Sequence, residues 1–368
     1  MIRFSLVLSA VVLFTLSAYA IPQTFVSASG NNLNTCERTA PCKTFAGALA
    51  KTDANGEIVV LDAGEYGPVT INKSVRITAV GVYAGITAAA NNAVTINVAA
   101  TDVVALRGLT LTGKGATHGV MQFTGGTLHV EDCTISGFSG RGINFRAAGQ
   151  LFVKDTIVRN NGGAGILVYP ASGSSTASID NCRSEKNGYG VHVQSPSGGS
   201  VEVTVRDSVA ANSDWFGFYA YGANAQMNVF DSEAVHNVYA GFVVQLGGIN
   251  AHNCISSGNS GGFRASDGGV LNIKGCTAAN NIDSGVSVGN GGGASRVSIE
   301  GCQLINNSNH GLLVHAGAVA LISESIVTGN RIGLANHFRS GIIKTFGNNR
   351  VEDNETNVAG VLTPVSQM

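Results

Sequence analysis

The sequence has 368 residues; 12% are charged, 44% are hydrophobic, 7% are aromatic, and there are 49 glycines but 6 prolines. This composition excludes a disordered chain, which would be richer in charge, and it favours a repeat protein with tight turns. The net charge of −1, with no block of like charge, predicts no nucleic-acid partner. A polyanionic ligand would need a local basic patch.

Residues 1–20 have the features of a secretory signal peptide. Arg3 supplies the positive end, residues 4–16 form the apolar core, and Ala18 and Ala20 make an A-x-A cleavage site. The alternative is an N-terminal membrane anchor, but the apolar run is shorter than the ~20 residues that a span needs. We therefore expect cleavage after Ala20, no stable membrane insertion, and a periplasmic or secreted mature protein.

Residues 21–56 are predicted to form an N-terminal loop and cap. Cys36 and Cys42 lie six residues apart in a polar stretch, which favours a local disulfide bond over two free thiols in an oxidising compartment. Residues 44–51 have the apolar spacing of a short amphipathic helix. We expect this helix to plug the open end of the core, because a solenoid needs a cap.

Residues 132–325 repeat with a spacing of 22–26 residues, and less regular strand-like stretches extend the same pattern over residues 57–356. A small residue after Asp, Asn, Gly or Glu starts each unit, an Asn usually follows five residues later, and a Gly follows after eight or nine. Apolar residues alternate between these positions, as in strands. The repeat predicts an all-β, single-stranded right-handed parallel β-helix of about 12 coils, with parallel strands ~4.8 Å apart. Residues 357–368 would be a C-terminal cap or tail.

The repeated small and polar positions each have a structural interpretation. Asn residues at bends would adopt left-handed dihedrals and stack as an amide ladder, and the corner glycines would leave no room for a Cβ. The expected ladder is Asn161, Asn187, Asn237, Asn259, Asn281, Asn307 and Asn330. A column of aspartates favours turn chemistry over a cation or catalytic site; it contains Asp132, Asp155, Asp207 and Asp231.

Five further cysteines fall at the small residue that starts a unit, and they form one inward column. Neighbours in this column would be close enough for a disulfide, but we favour buried thiols that pack as small hydrophobes. A metal site is not expected, because a single column cannot surround an ion tetrahedrally. The five residues are Cys133, Cys182, Cys254, Cys276 and Cys302.

With this repeat, residues 57 to about 356 resemble the pectin lyase-like superfamily of right-handed parallel β-helix proteins. The stretch around Cys36 and Cys42, with Gly56-Glu57-Ile58 and Gly64-Glu65-Tyr66-Gly67, is similar to bacterial secreted β-helix repeat proteins. The resemblance implies the fold. It leaves the activity open, because pectate lyases, polygalacturonases, alginate epimerases, phage tailspikes and adhesins share this architecture.

Relatives that act on sugars use an exterior strand face, and here two outward columns follow the corner glycines. The first column is Asn144, Leu167, His192, Tyr219, Val243, Arg264, Ser287, Leu313 and Ala335, and the second is Arg146, Tyr169, Gln194, Tyr221, Gln245, Ser266, Gly289, His315 and His337. Neither contains Asp or Glu, whereas glycoside hydrolysis usually needs two carboxylic acids ~5–9.5 Å apart. A calcium-dependent lyase would also need carboxylates. The sequence therefore disfavours both classes, and it predicts no cofactor and no metal.

Aromatic residues concentrate between residues 169 and 239, and they could form a surface on which sugar rings stack. The alternative is that they pack as ordinary surface. The stretch contains Tyr169, Tyr189, Trp215, Phe216, Tyr219, Tyr221, Phe230 and Tyr239. The candidate polysaccharide-binding residues are Tyr169, Tyr189, Trp215, Tyr219, Tyr221, Tyr239 and Arg264.

Three functions stay open at this point, as does the oligomeric state. The favoured one is non-catalytic or weakly active binding of an extracellular or envelope polysaccharide. The second is a metal-independent polysaccharide lyase or uronate epimerase, with His192, Tyr219 and Tyr221 as base and acid and Arg146 or Arg264 neutralising a uronate. The third is a structural surface protein or adhesin without a small ligand.

Overall fold

The computed structural model describes residues 23–289, 291, 293–336 and 340–366. The predicted signal peptide and His337 lie outside these residues. No helix within the described ranges is both long and apolar enough to cross a lipid bilayer.

The described chain winds through three parallel sheets, and its strands are numbered β1 to β41 in chain order. The first sheet contains β1 Gln23–Val26, β2 Gly56–Val60, β5 Val75–Thr78, β8 Val103–Arg107, β11 Thr127–Glu131, β14 Gln150–Lys154, β17 Ser175–Asp180, β20 Val201–Arg206, β23 Ala225–Phe230, β26 Gly248–His252, β29 Val270–Lys274, β32 Arg296–Glu300, β35 Val319–Ser323, β38 Ile342–Thr345 and β41 Leu362–Pro364. The second sheet contains β4 Val69–Ile71, β7 Asn92–Asn97, β10 His118–Thr124, β13 Ile143–Phe145, β16 Ala164–Val168, β19 Tyr189–Gln194, β22 Phe216–Tyr221, β25 Ala240–Gln245, β28 Gly261–Ser266, β31 Ser284–Val288, β34 His310–Val314, β37 Ile332–Asn336 and β40 Thr356–Ala359.

The third sheet contains β3 Gly64–Glu65, β6 Ala84–Ala88, β9 Leu109–Gly113, β12 Thr134–Ser136, β15 Ile157–Arg159, β18 Arg183–Glu185, β21 Val209–Ala211, β24 Glu233–Val235, β27 Ile255–Ser257, β30 Thr277–Ala279, β33 Gln303–Ile305, β36 Ile326–Thr328 and β39 Arg350–Glu352. Each coil adds one strand to each sheet, which confirms the predicted all-β right-handed parallel β-helix of about 12 coils. The first sheet begins at β1 and ends at β41, so its strands extend beyond residues 57–356 at both ends.

The core is the space enclosed by the three sheets, and the period-two pattern fills it. In β8, Val104 and Leu106 are buried while Val103 and Arg107 are exposed, because successive side chains point to opposite faces of a strand. Under the second sheet, a stack of phenylalanines fills the core of three successive coils. Its ring centroids are 4.9 Å and 4.6 Å apart, and its members are Phe218, Phe242 and Phe263.

The predicted amide ladder is present and is buried. Asn281 Nδ2 donates to Asn307 Oδ1 at 2.9 Å, and Asn307 Nδ2 donates to Asn330 Oδ1 at 3.0 Å. The expectation of left-handed dihedrals at these asparagines is wrong. The left-handed residue is the one before, such as Asn280 and Asn306, both with φ 55°. This division leaves the ladder side chain pointing into the core while its neighbour makes the bend.

The aspartate column also adopts left-handed backbone, with φ of 48° to 53° at Asp132, Asp155, Asp207 and Asp231. This agrees with turn chemistry, since Asp tolerates this region better than most residues. A corner glycine shows why the other repeated position is small. A Cβ on Gly165 would lie 2.2 Å from Ser184 Oγ and 2.7 Å from Asn187 Nδ2, so the corner packs directly on the ladder.

The five predicted core thiols are free and buried. Cys254 N–H donates to Cys276 Sγ at 3.4 Å, and Cys276 N–H donates to Cys302 Sγ at 3.4 Å. Hydroxyls do the same elsewhere in the column, since Cys182 N–H donates to Ser208 Oγ at 3.0 Å. Cys, Ser and Thr share this column because each is small and can accept the main-chain N–H of the preceding coil.

The predicted disulfide bond between Cys36 and Cys42 is present, with Cα atoms 4.7 Å apart. Both cysteines are buried, although the surrounding sequence is polar. The reason is main-chain pairing with β1: Phe25 N–H donates to Cys36 O at 2.8 Å, and Cys42 N–H donates to Phe25 O at 2.9 Å. The loop is thereby drawn onto the first coil.

The short helix α1 spans Phe45–Leu49. Thr44 caps it, because its Oγ1 accepts the N–H of Gly47 at 3.0 Å. Phe45, Ala48 and Leu49 are buried in the same core cluster as the first strands. The helix thus has the buried apolar face predicted for a cap.

Candidate functional site

The outward columns of the second sheet have the register that the repeat predicts. Leu167 pairs with His192, His192 with Tyr219, and Tyr219 with Val243, while the neighbouring Val191 and Phe218 point into the core. Much of the first column is nevertheless buried. Tyr219 is 9% exposed and Val243 only 2%. The face is therefore packed rather than a bare sheet surface.

A third outward column, which was not predicted from the repeat, explains this burial. Tyr189 and Phe216 start β19 and β22, and they flank the middle column on the side opposite Tyr221. Tyr219, Val243 and Ala240 form a small apolar cluster with Tyr189 and Phe216 packed against it. The missed signal was an aromatic residue immediately before two of the corner glycines.

Together these side chains make an aromatic cluster that spans three successive coils. It consists of Tyr189, His192, Trp215, Phe216, Tyr219, Tyr221 and Tyr239. Tyr219 lies at its centre, stacked on His192 with ring centroids 4.8 Å apart and on Tyr189 at 5.8 Å. Phe216 meets Tyr219 edge-on at 5.0 Å, and Trp215 stacks on Tyr239 at 5.0 Å and on Tyr189 at 6.2 Å.

The rim of the aromatic cluster is open to solvent. Trp215 is 46% exposed, Tyr239 49% and Tyr221 38%. Phe218 and Phe242 support the cluster from inside the same two strands, β22 and β25. Aromatic rings lie on both faces of the sheet here, which gives the exposed rings a rigid base.

Tyr219 also belongs to a hydrogen-bonded chain. Its hydroxyl donates to Gln245 Oε1, and Gln245 Nε2 donates to Asp267 Oδ2 at 3.0 Å. Burial and the neighbouring Tyr189, Tyr221 and Asp267 raise the pKa of Tyr219 well above its usual value. The phenol is therefore a neutral hydrogen-bond donor. Asp267 was missed because it follows β28 in a turn and lies outside the two columns.

His192 is neutral in this environment. Burial, with a smaller contribution from the charge of Arg141, lowers the pKa of His192 from 6.5 to about 4. Its Nε2 atom is buried and has no hydrogen-bond partner in the described structure. The ring packs against both Tyr189 and Tyr219. A neutral imidazole could accept a proton, but this nitrogen is covered and the Tyr219 hydroxyl is engaged with Gln245.

Other candidate residues lie apart from the cluster. Arg146 lies over the ring of Tyr169 at 4.3 Å, and the two residues directly follow β13 and β16. Arg264 pairs in register with Val243 and Ser287, on the far side of the cluster. Phe230 is on the first sheet, where it stacks on His252, because closeness in sequence does not keep residues on one face of a coil.

Among the described residues, no group of three or more His, Cys, Asp or Glu side chains is arranged to hold a metal ion. The chemistry available at the cluster is stacking on flat faces, hydrogen bonding from phenols, and charge from the arginines at either side.

The family described as "Right handed beta helix region" matches residues 71–256 and 196–356. No curated protein gives a significant match. Among solved structures, the chain is similar to the A-module of the mannuronan C-5 epimerase AlgE6 of Azotobacter vinelandii, with a TM-score of 0.57 and 15% identity over 85% of this chain and 91% of that chain.

Two further solved structures are similar at the level of the fold. They are the periplasmic alginate epimerase AlgG, with a TM-score of 0.52 and 10% identity over 86% of this chain and 78% of that chain, and the Dettilon tailspike protein, with a TM-score of 0.53 and 13% identity over 80% and 65%. At such identities the likeness concerns the fold alone.

Proposed function

The chain belongs to the right-handed β-helix family, and on that premise we propose that it binds an extracellular or envelope polysaccharide through the aromatic cluster. The observation that carries the proposal is the stacking of Tyr239 and Tyr189 on Trp215, with ring planes 12° and 15° from that of Trp215. Trp215 and Tyr239 are about half exposed. Flat exposed rings with hydrogen-bonding ends suit the apolar faces and hydroxyls of sugars. The proposal includes a secreted or periplasmic location, with the signal peptide cleaved after Ala20.

The experiment uses the protein from residue 21 onward and follows the fluorescence of Trp215, the single tryptophan of the chain. Purified neutral and acidic polysaccharides are titrated, with alginate included because structurally similar proteins are named as alginate or mannuronan epimerases. Saturable quenching or a spectral shift with one polysaccharide class is the expected result. No change with any polysaccharide, in a folded protein, would leave a structural surface protein or adhesin as the better account.

A second function, a metal-independent polysaccharide lyase or epimerase, is favoured by one observation. Neutral His192 lies against Tyr219 at 4.8 Å, which is the pairing of a base with a phenol acid. The covered Nε2 atom and the Tyr219–Gln245 bond argue against it. Ultraviolet absorbance of unsaturated uronate tests lyase activity, and exchange of the C5 proton with solvent deuterium tests epimerase activity. Either activity surviving in His192→Ala would exclude His192 as the base.

A further inference from the structure

A patch of positive charge lies on the coil of β13, two strands from His192 in the second sheet. Arg141 immediately precedes the corner of this coil, Asn144 belongs to the first outward column, and Arg146 belongs to the second. Arg146 was predicted from the outward columns after the corner glycines, whereas Arg141 was not, because it precedes its corner glycine. The whole chain has a net charge of −1, so this local patch differs from the protein's average.

The two arginines have like charge and lack a compensating carboxylate. The ion pairs of the described structure include neither Arg141 nor Arg146. Both side chains are partly buried. Burial and the charge of Arg146 lower the pKa of Arg141. An anion bound between the two arginines would stabilise their charged forms and so offset both the burial and the mutual repulsion.

Unpartnered hydrogen-bond donors lie beside these charges. Arg146 Nε is buried without a partner in the described structure, while its guanidinium lies over the ring of Tyr169 at 4.3 Å. Stacking of this kind covers the face of the guanidinium and leaves its N–H edge to meet a ligand. Carboxylates and sulfates are the groups that match this edge, since they can accept two parallel N–H bonds.

Asn144 supplies a further donor, as the tautomer of His118 requires. His118 Nδ1 accepts the main-chain N–H of Arg141 at 3.0 Å, so in the neutral ring Nε2 carries the proton. That proton must be donated to Asn144 across the 3.2 Å contact, which places the amide oxygen there. The structure records the atom facing His118 as Asn144 Nδ2 and the buried, unpartnered atom as Oδ1, so this assignment exchanges the two and puts the amide NH₂ at the buried position. Asn144 is 3% exposed, so without a ligand this donor makes no hydrogen bond to the described protein and has little access to solvent.

Space for a ligand lies next to this patch. An open cleft of ≈ 400 Å³ borders Arg146, and its other walls include Phe123, Ala148 and Ala171. The walls of the cleft come mainly from residues that follow the ends of β7, β10, β13 and β16, so it lies at that edge of the second sheet and meets the patch at Arg146. A chain lying across the strands would pass from Tyr219, at the centre of the cluster, to the coil of Arg146, a distance of three strands or ~14 Å.

We propose that Arg141, Asn144 and Arg146 form a site for an anionic group, carboxylate or sulfate, of the polysaccharide whose sugar rings stack on the aromatic cluster. The inference rests on the proposed function and adds the ligand's charge and its place. Arg264 at the opposite end carries a second positive charge and makes no ion pair in the described structure. The occupant is an acidic glycan that spans the cluster.

The test measures the affinity of alginate, carboxyl-reduced alginate and dextran sulfate for the wild type, Arg141→Gln, Arg146→Gln and the double variant. Arg296→Gln is the matched control, because Arg296 is an exposed arginine on the first sheet. We expect each single variant to weaken binding of the acidic polymers by about tenfold. The double variant should also show a weaker salt dependence, while binding of the carboxyl-reduced polymer stays the same. Unchanged melting temperatures would show that the variants are folded.

The outcomes separate this inference from the proposed function. If the double variant binds alginate like the wild type while Trp215→Ala loses binding, the anion site is wrong and the aromatic site stands. Tighter binding of carboxyl-reduced alginate than of alginate by the wild type would also overturn the anion site. If the wild type binds neither alginate nor dextran sulfate but does bind a neutral polysaccharide, the anion site is wrong and the aromatic site stands; if it binds no polysaccharide at all, both proposals fail. Binding of alginate alone or dextran sulfate alone would assign the site to carboxylate or to sulfate.

Discussion

Trp215 stacks on Tyr239 of the following coil, with ring centroids 5.0 Å apart and planes 12° apart. Such a pair contributes about 0.5–1.5 kcal/mol beyond the area it buries. Each ring therefore restrains the orientation of the other, although both are about half exposed. A ligand that stacks on this surface does not have to order it first, which favours affinity.

This relationship predicts the effect of removing one ring. Tyr239→Ala should weaken polysaccharide binding by about two- to tenfold, because it removes one stacking face and releases its neighbour Trp215. It should also shift the emission of Trp215 in the free protein. Phe230→Ala is the control, since Phe230 stacks on His252 on the first sheet. Equal loss of binding in both variants would contradict a site on the second sheet.

His192 predicts a pH dependence of stability. Its pKa is lowered from 6.5 to about 4, so the unfolded chain takes up the proton before the folded protein does. The contribution of His192 to the free energy of unfolding should therefore fall by up to about 3 kcal/mol as the pH decreases from about 6.5 to about 4, and it should change little at lower pH. Urea unfolding at several pH values measures this.

The variants for that measurement keep a ring in place. His192→Phe preserves stacking on Tyr219 but cannot titrate, so its stability should change less between pH 6.5 and 4 than that of the wild type. His252→Phe alters another stacked histidine and leaves His192 intact, so it should keep the wild-type dependence. A parallel pH dependence in His192→Phe and the wild type would rule out His192 as the source.

The coil repeat could be predicted from the sequence, because each repeated residue type has one structural role in every coil. The ladder asparagines, the corner glycines and the small core column are all defined by spacing, and the structure has them where the spacing predicts. The outward register of His192 and Tyr219 followed from the same corner glycines. The position of Phe230 on the first sheet was not predicted, because closeness in sequence does not determine which of the three sheets a residue belongs to.

The spacing did not predict that some side chains on the outer face of the second sheet are buried. An outward residue was expected to be exposed, yet Tyr219 is covered by side chains from adjoining columns. The dihedral at the bend was also assigned one residue too late, because either Asn280 or Asn281 can adopt left-handed backbone and only packing decides. Arg141 was not predicted as a site residue, because a single arginine outside the repeated columns has no spacing pattern. Its proposed role depends on Arg146 and on the unpartnered donors beside it, which only the structure shows.

The cysteines predict a defined pattern of reactivity. Burial raises the pKa of Cys133 and of Cys182 to about 12, and all five free thiols lie in the core. The native protein should therefore react with a thiol reagent at none of them, and all five should react after unfolding. Rapid modification of the folded protein, with intact β-structure by circular dichroism, would contradict this packing.

Removing the disulfide should have a limited effect. Because Cys36 and Cys42 enclose a short loop, the double Ser variant should lose about 2 kcal/mol of stability. The loss should be concentrated in β1 and α1, which pack beside the loop, and hydrogen exchange measures it. Cys133→Ser is the comparison, since Ser208 already occupies the same column. Faster exchange spread evenly along all coils would show that the disulfide does more than hold the first coil.

The amide ladder predicts one destabilising and one stabilising substitution. Asn281→Ala removes the oxygen that accepts the main-chain N–H of Asn259 at 3.1 Å, so it should cost about 1–3 kcal/mol through a buried unsatisfied donor. Ser213 interrupts the ladder, and its Oγ is buried without a partner in the described structure. Ser213→Asn should restore the amide connection between Asn187 and Asn237 and stabilise the protein by about 1 kcal/mol, because the same side chain fits this corner in neighbouring coils. Urea unfolding of both variants checks the pair. If Asn281→Ala stabilised the protein, the ladder would be a consequence of the coil rather than a support for it. If Asn281→Ala lowers the free energy of unfolding and Ser213→Asn raises it, this single column contributes measurably to the stability of the solenoid.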